Sequence, residues 1–182
     1  MTSKRQQIMS GRDMERSLAR LVLQIIERNN GVDKLALVGI HTGGVFLAER
    51  VKKKIFDHEG VDIPVGSLDI SLYRDDWSLA AQSPTVKETN IDFKVEKYDV
   101  ILVDDVLFTG RTIRAALDAI MDFGRPHSIQ LAVLVDRQCG RELPIQPNYA
   151  GYELLESIED HVEVLLSEKA GHDEVLLIPR QP

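Results

Sequence analysis

Residues 100–112, Val-Ile-Leu-Val-Asp-Asp-Val-Leu-Phe-Thr-Gly-Arg-Thr, bring together side chains that can hold a phosphate and a sugar. Asp104 and Asp105 follow an apolar run, Val100, Ile101, Leu102 and Val103, which reads as a strand buried on both faces. In open α/β sheets ligands settle beyond the carboxyl ends of the strands. Thr109, Gly110, Arg111 and Thr112 come next, ahead of Ile113, Ala116, Leu117 and Ile120 at helical spacing. A helix start behind a Thr-Gly turn presents unpaired N–H groups and a partial positive charge, which suits a phosphate. Gly110 lets the backbone approach closely, and the hydroxyls of Thr109 and Thr112 can donate to phosphate oxygens. The acidic pair would repel phosphate and suits sugar hydroxyls or a developing positive charge. Neither a Gly-x-x-x-x-Gly-Lys loop nor a Gly-x-Gly-x-x-Gly turn is present.

A second strand-to-helix turn spans residues 38–44 and ends in Thr42-Gly43-Gly44, whose backbone N–H groups could cradle another phosphate. The same turn could equally be a plain glycine-rich helix entry. Tyr73-Arg74-Asp75-Asp76 stands at the mouth of a polar stretch, 78–90, that contains Pro84 and has no period. That stretch reads as a mobile loop or a loosely paired hairpin.

Several elements must position these turns. Met14, Leu18, Leu21, Val22, Ile25 and Ile26 form one apolar stripe, so a first helix is expected over about 13–29, stopped near Gly31. A strand is expected at 35–40 and a helix through Val45, Ala48, Val51 and Ile55. Leu68, Ile70 and Leu72 alternate with polar residues as in a half-buried strand. Then come a strand at 98–104, a helix at 110–123 ended by Gly124 and Pro126, and a strand at 129–135. The segment 139–151 is rich in turn residues, and 162–166 and 175–178 read as closing strands. Alternating strands and helices imply a mainly parallel sheet covered by helices, an α/β architecture.

Segment 100–112 resembles the fingerprint with which type I phosphoribosyltransferases bind phosphoribosyl pyrophosphate (PRPP). IERNNG at 26–31, VGIHTGG at 38–44, DISLYRDD at 69–76, GRPHSIQLAVLVDR at 124–137 and RELPI at 141–145 extend the likeness. In this order they resemble the pyrimidine-regulatory branch of that family, uracil phosphoribosyltransferases that also bind pyrimidine-operon mRNA in many bacteria. The resemblance implies the type I phosphoribosyltransferase fold, a mainly parallel central sheet flanked by helices with a small hood. It implies one domain over 1–182, with a flexible loop at about 74–90 and the hood mainly at 137–182.

On this resemblance Val106, Leu107, Phe108, Thr109, Gly110, Arg111 and Thr112 form the PRPP phosphate loop, and Thr42, Gly43 and Gly44 the pyrophosphate loop. Asp104 and Asp105 would hold the ribose hydroxyls, with Asp105 nearest the reacting centre and Mg²⁺ travelling with PRPP nearby. Arg74 would reach the pyrophosphate as the loop closes and excludes water. Val135, Asp136 and Arg137 would line the base pocket, and Arg20, Arg28 and Arg141 would contact RNA. The implied partners are PRPP, uracil, UMP or UTP, a pyrimidine-operon mRNA leader, and further copies of the chain as a homodimer or larger homo-oligomer.

Three departures stand out. The pyrophosphate turn of the family is normally Thr-Arg-Gly, and position 43 is glycine here. A lost guanidinium of this kind can cost about 10²–10³ in rate, by analogy with a removed oxyanion donor. The hood of the family reads Asp-Arg-Gly-His-Arg-Glu-Leu-Pro, whereas residues 136–144 read Asp-Arg-Gln-Cys-Gly-Arg-Glu-Leu-Pro, one residue longer and without the histidine. The basic residue that often follows Leu-Pro-Ile is Gln146, and a Pro-Thr-Ser farther on becomes Leu155-Glu156-Ser157. Two other readings therefore stay open: an RNA-binding regulator that has lost most catalysis and keeps the pocket as a nucleotide sensor, and a purine phosphoribosyltransferase.

Composition fits these expectations. A chain of 182 residues with 43% hydrophobic and 28% charged residues suits one globular domain with a real core. One cysteine argues against a disulfide framework and five scattered histidines show no zinc spacing, so a cytoplasmic protein without a membrane span is expected. The net charge of −7 does not favour nucleic acid over the whole surface. Residues 1–28, however, hold six Lys/Arg against three Asp/Glu, and Arg12, Arg16 and Arg20 recur every fourth residue opposite the apolar stripe. Such a row is either a solvated face or a contact for RNA phosphates.

Overall fold

The computed structural model describes residues 5–75, 87–155 and 160–179. The apolar run after Tyr98 forms the central strand β4 (Asp99–Leu107) of a five-stranded sheet. β2 (Leu35–Ile40) and β5 (Ser128–Arg137) flank it, with β3 (Val65–Leu68) and β6 (Tyr149–Leu154) at the edges. Every pairing in this sheet is parallel. The central strands have no polar face because both faces are covered. Ile101 and Val103 join Leu35 and Leu37 against helices α1 (Gly11–Asn29) and α2 (Gly43–Glu59). Val100 and Leu102 join Val38 and Ile40 against α3 (Arg111–Met121). The one-residue alternation of the strands thus feeds two cores.

α1 starts in a capping box, with Ser10 Oγ accepting from the Asp13 N–H at 3.3 Å and the Asp13 carboxylate accepting from the Ser10 N–H at 3.0 Å. It ends at Asn30 in the left-handed region, φ 52°. A second sheet has three antiparallel strands in the order β1 (Gln6–Ser10), β8 (Glu174–Ile178) and β7 (His161–Leu165). Met9, Val162, Val175 and Leu177 from it join the core under α1 and α2. A short helix, α4 (Ser167–Ala170), links β7 to β8.

Four expectations change. β4 runs past both carboxylates to Leu107 rather than ending at 104, because Val106 and Leu107 still pair with Val135 and Asp136. The alternation at 68–72 is not a strand: β3 ends at Leu68, and Asp69 Oδ1 accepts from the Ser71 N–H at 3.0 Å, which turns the chain. Leu72 is accordingly exposed. β1 and β6 arise where no strand is expected. The stretch 78–90 lies outside the described residues over 78–86, and residues 87–90 run back along β3, with Ser67 and Asn90 exchanging backbone hydrogen bonds of 2.8 and 2.9 Å.

Candidate active site

β2 and β4 are neighbours, and each ends in a turn into a helix. Gly44, at the start of α2, lies against the backbone of β4: a Cβ there would stand 2.1 Å from the Val103 carbonyl oxygen. Only glycine lets the helix begin so close. The His41–Thr42 peptide that leads into it is cis. On the other side Gly110 caps α3 at φ 94°, a conformation that a side chain strains. Neither N-cap residue, Thr42 or Gly110, caps its helix with a side chain, so both helix starts direct N–H groups and partial positive charge outward.

The carboxylates sit between these two helix starts. Asp104 is buried, and its Oδ1 accepts from the Asp105 N–H at 2.9 Å; Asp105 Oδ1 accepts from the Val106 N–H at 2.8 Å. Burial, and then the neighbouring Asp105 charge, push the Asp104 carboxyl well above the usual carboxylate range. Asp105 also lies against Gly43, where a Cβ would stand 2.2 Å from its Oδ2. A cavity of about 520 Å³ is lined by Thr42, Arg74, Asp104, Asp105, Val106 and Thr112 together with His41, Asp69 and Lys87.

Residues 142–145 cover the Thr109-Gly110 turn. The Thr109 carbonyl accepts from the Glu142 and Leu143 N–H groups at 3.0 and 3.2 Å, and Leu143 and Ile145 stand over Gly110. The guanidinium of Arg111 is held by Asp75 and Glu142, each at 2.6 Å. Its backbone N–H is directed to Thr109 Oγ1 at 3.3 Å. Leu107 is core, Phe108 and Thr109 are half-buried, and Arg74 is exposed at the rim. The residues expected to line a base pocket, Val135, Asp136 and Arg137, are all buried and outside the lining of this cavity, and the Arg137 guanidinium lies 3.9 Å from the centre of the Phe108 ring.

The three arginines assigned to RNA part company. Arg20 and Arg28 are exposed on α1: Arg20 donates to the Gly151 carbonyl, and Arg28 lies 5.8 Å from the Tyr149 ring centre. Arg141 instead turns inward, donating to the Asp136 carboxylate and the Phe108 carbonyl. Two residues of the cavity escape the sequence pattern, Asp69 and Lys87. Lys87 leaves one faint signal, being the sole Lys or Arg between Arg74 and Lys94.

Residues 4–169 match the family model for the phosphoribosyl transferase domain. The chain belongs to the phosphoribosyltransferase family. A relative from Deinococcus deserti, named Bifunctional protein PyrR, is 51% identical over 97% of this chain and 96% of its own length. Proteins of the same name from Limosilactobacillus reuteri (51%; 94% of this chain, 97% of theirs) and Syntrophobacter fumaroxidans (52%; 93% and 91%) match as well. These matches place the phosphoribosyltransferase chain in the PyrR branch. Hypoxanthine phosphoribosyltransferase from Trypanosoma cruzi shares its fold at a TM-score of 0.73 with 16% identity, over 96% of this chain and 94% of that one. A purine phosphoribosyltransferase from Pyrococcus horikoshii aligns at 0.58 with 20% identity, over 78% and 82%. The fold is thus the type I phosphoribosyltransferase fold.

Among the described residues no group of three or more His, Cys, Asp or Glu could hold a metal. Asp104 and Asp105 fit Mg²⁺ in another way, since Mg²⁺ is commonly bound by one or two carboxylates plus substrate oxygens. No helix among the described residues is long and apolar enough to cross a membrane.

Proposed function

We propose that the protein is a uracil phosphoribosyltransferase, converting uracil and PRPP to UMP and pyrophosphate, and that it also binds a pyrimidine-operon mRNA leader in response to UMP or UTP. The observation that carries the enzymatic part is the placement of Asp104 and Asp105 between two helix starts whose N-cap residues make no side-chain cap. A ligand complementary to that arrangement has phosphate groups at both ends and a diol in the middle, which describes PRPP.

The N–H groups at the α3 start and the hydroxyls of Thr109 and Thr112 hold the 5-phosphate, and those at the α2 start hold the pyrophosphate. Asp104 and Asp105 accept from the ribose hydroxyls and steady positive charge that develops at C1. A uracil ring nitrogen forms its bond to C1 as the bond from C1 to the pyrophosphate oxygen breaks, and the proton lost by that nitrogen is balanced by the one the released pyrophosphate can take up. Bound Mg²⁺ would neutralise charge on the departing pyrophosphate near the two carboxylates. Arg74 stands at the pyrophosphate rim, and Val135, Asp136 and Arg137, buried at the end of β5 and outside the lining of this cavity, are the residues proposed for the base side.

Mg²⁺-dependent pyrophosphate release from PRPP, with uracil and with hypoxanthine and guanine as controls, tests this. Uracil-specific turnover is expected. Turnover with a purine alone would replace the substrate, and PRPP binding without turnover would turn the reading to a regulator with an idle pocket.

A further inference from the structure

The pyrophosphate side of the cavity holds a cation from outside the two strand-to-helix turns. Lys87 Nζ donates to Thr42 Oγ1, at the start of α2. That end of the helix carries partial positive charge, so an ammonium group there is repelled by the helix. Among the described residues no carboxylate is paired with Lys87 Nζ. An ammonium set beside an uncapped helix start gains stability when an anion lies against both.

The placement is held from several sides. The Lys87 N–H donates to Asp69 Oδ2 at 2.7 Å. Asp69 Oδ1 accepts from the Ser71 hydroxyl at 2.6 Å as well as from its N–H at 3.0 Å. The Asp69 N–H donates to Thr89 Oγ1 at 3.0 Å, and His41 Nε2 lies 3.0 Å from the Glu88 carbonyl oxygen. Hydrogen bonds from Ser71 and Lys87 keep the Asp69 carboxyl below its ordinary range against the effect of burial. The Asp69 carboxylate is therefore occupied with structure and leaves the Lys87 ammonium to the cavity.

We propose that Lys87 is a pyrophosphate-binding residue of this site, with Asp69 as its positioning residue. It supplies, from the strand-like segment beside the turn, the cation that Gly43 does not supply from within it. The inference rests on the reading of the cavity as a PRPP site.

The test compares two ligands that differ only in the pyrophosphate, Mg²⁺-PRPP and ribose 5-phosphate, titrated calorimetrically at one salt concentration. Lys87→Met is expected to weaken PRPP about 10- to 100-fold while moving ribose 5-phosphate less than about twofold, and Lys87→Arg to restore most of the loss. Asp69→Asn is expected to shift the same ratio in the same direction by about three- to tenfold. A general loosening of the fold would weaken both ligands alike. Undiminished PRPP binding in Lys87→Met, or equal loss of both ligands, overturns the inference while the PRPP site stands. A wild-type protein that binds neither ligand overturns the PRPP reading and this inference with it.

Discussion

At position 43 one methyl group decides where Asp105 can sit. Glycine there lets the carboxylate lie directly against the start of α2, within 2.2 Å of where a Cβ would be. An arginine would regain a guanidinium for the proposed pyrophosphate site but would first have to displace the Asp105 carboxylate. Gly43→Arg is therefore expected to lower uracil-dependent turnover about tenfold or more, read as kcat, with PRPP affinity changed less. A gain in turnover would show that the missing guanidinium is the limiting feature. The two Thr/Gly turns and the acidic pair are legible in the sequence because each is a run of neighbours whose chemistry is local. Lys87 and Asp69 are not, since their roles exist only once residues 87–90 return along β3. The inward turn of Arg141 is hidden for the same reason: its partner Asp136 is buried at the end of β5.

Among the elements, α2 is the one that ties the site to the second sheet. Arg50 on α2 donates to both oxygens of Glu168, at 2.8 and 2.6 Å, and to both of Asp173, at 2.8 and 2.9 Å. Its hydrogen bonds hold both carboxyls below their ordinary ranges. Because the folded-state values lie below the unfolded ones, this stabilisation is complete at neutral pH and disappears as pH falls through the folded values. Arg50→Met is expected to cost about 1–3 kcal/mol at pH 7 and progressively less as pH falls below the ordinary carboxylate range, measured by urea unfolding across that range. Equal stability of the two proteins at pH 7 would refute this. Helices α1, α2 and α3 and the central strands follow from apolar spacing alone. β6 is masked by Pro144, Pro147 and Gly151, which mark turns, and β3 by Gly66, a buried position without a side chain to count. β1 is short and largely exposed, and its partner β8 lies at the other end of the chain, so no local pattern announces it.

For the whole molecule, the acidic total conceals a helix with four exposed arginines. Arg12, Arg16, Arg20 and Arg28 are exposed on α1, on the sheet face opposite α3, and none of them lines the cavity at Asp104 and Asp105. Joint replacement of Arg20 and Arg28 by alanine is expected to weaken a pyrimidine-leader RNA about tenfold or more and to lower the slope of log affinity against log salt by about 1.5 to 2. The thermal midpoint serves as the control for folding, because Arg20 also braces the Gly151 carbonyl. A protein with no preference for leader RNA over a scrambled sequence would have no regulatory role of this kind. The pairing of β1 with β8 has a consequence for biosynthesis. During translation, at ~5–20 residues per second, β1 emerges roughly ten to thirty seconds before β8 exists to receive it. Through that interval the nascent chain carries Ile8 and Met9 on an unpaired strand, and any chaperone that shields the newborn protein has its first substrate there.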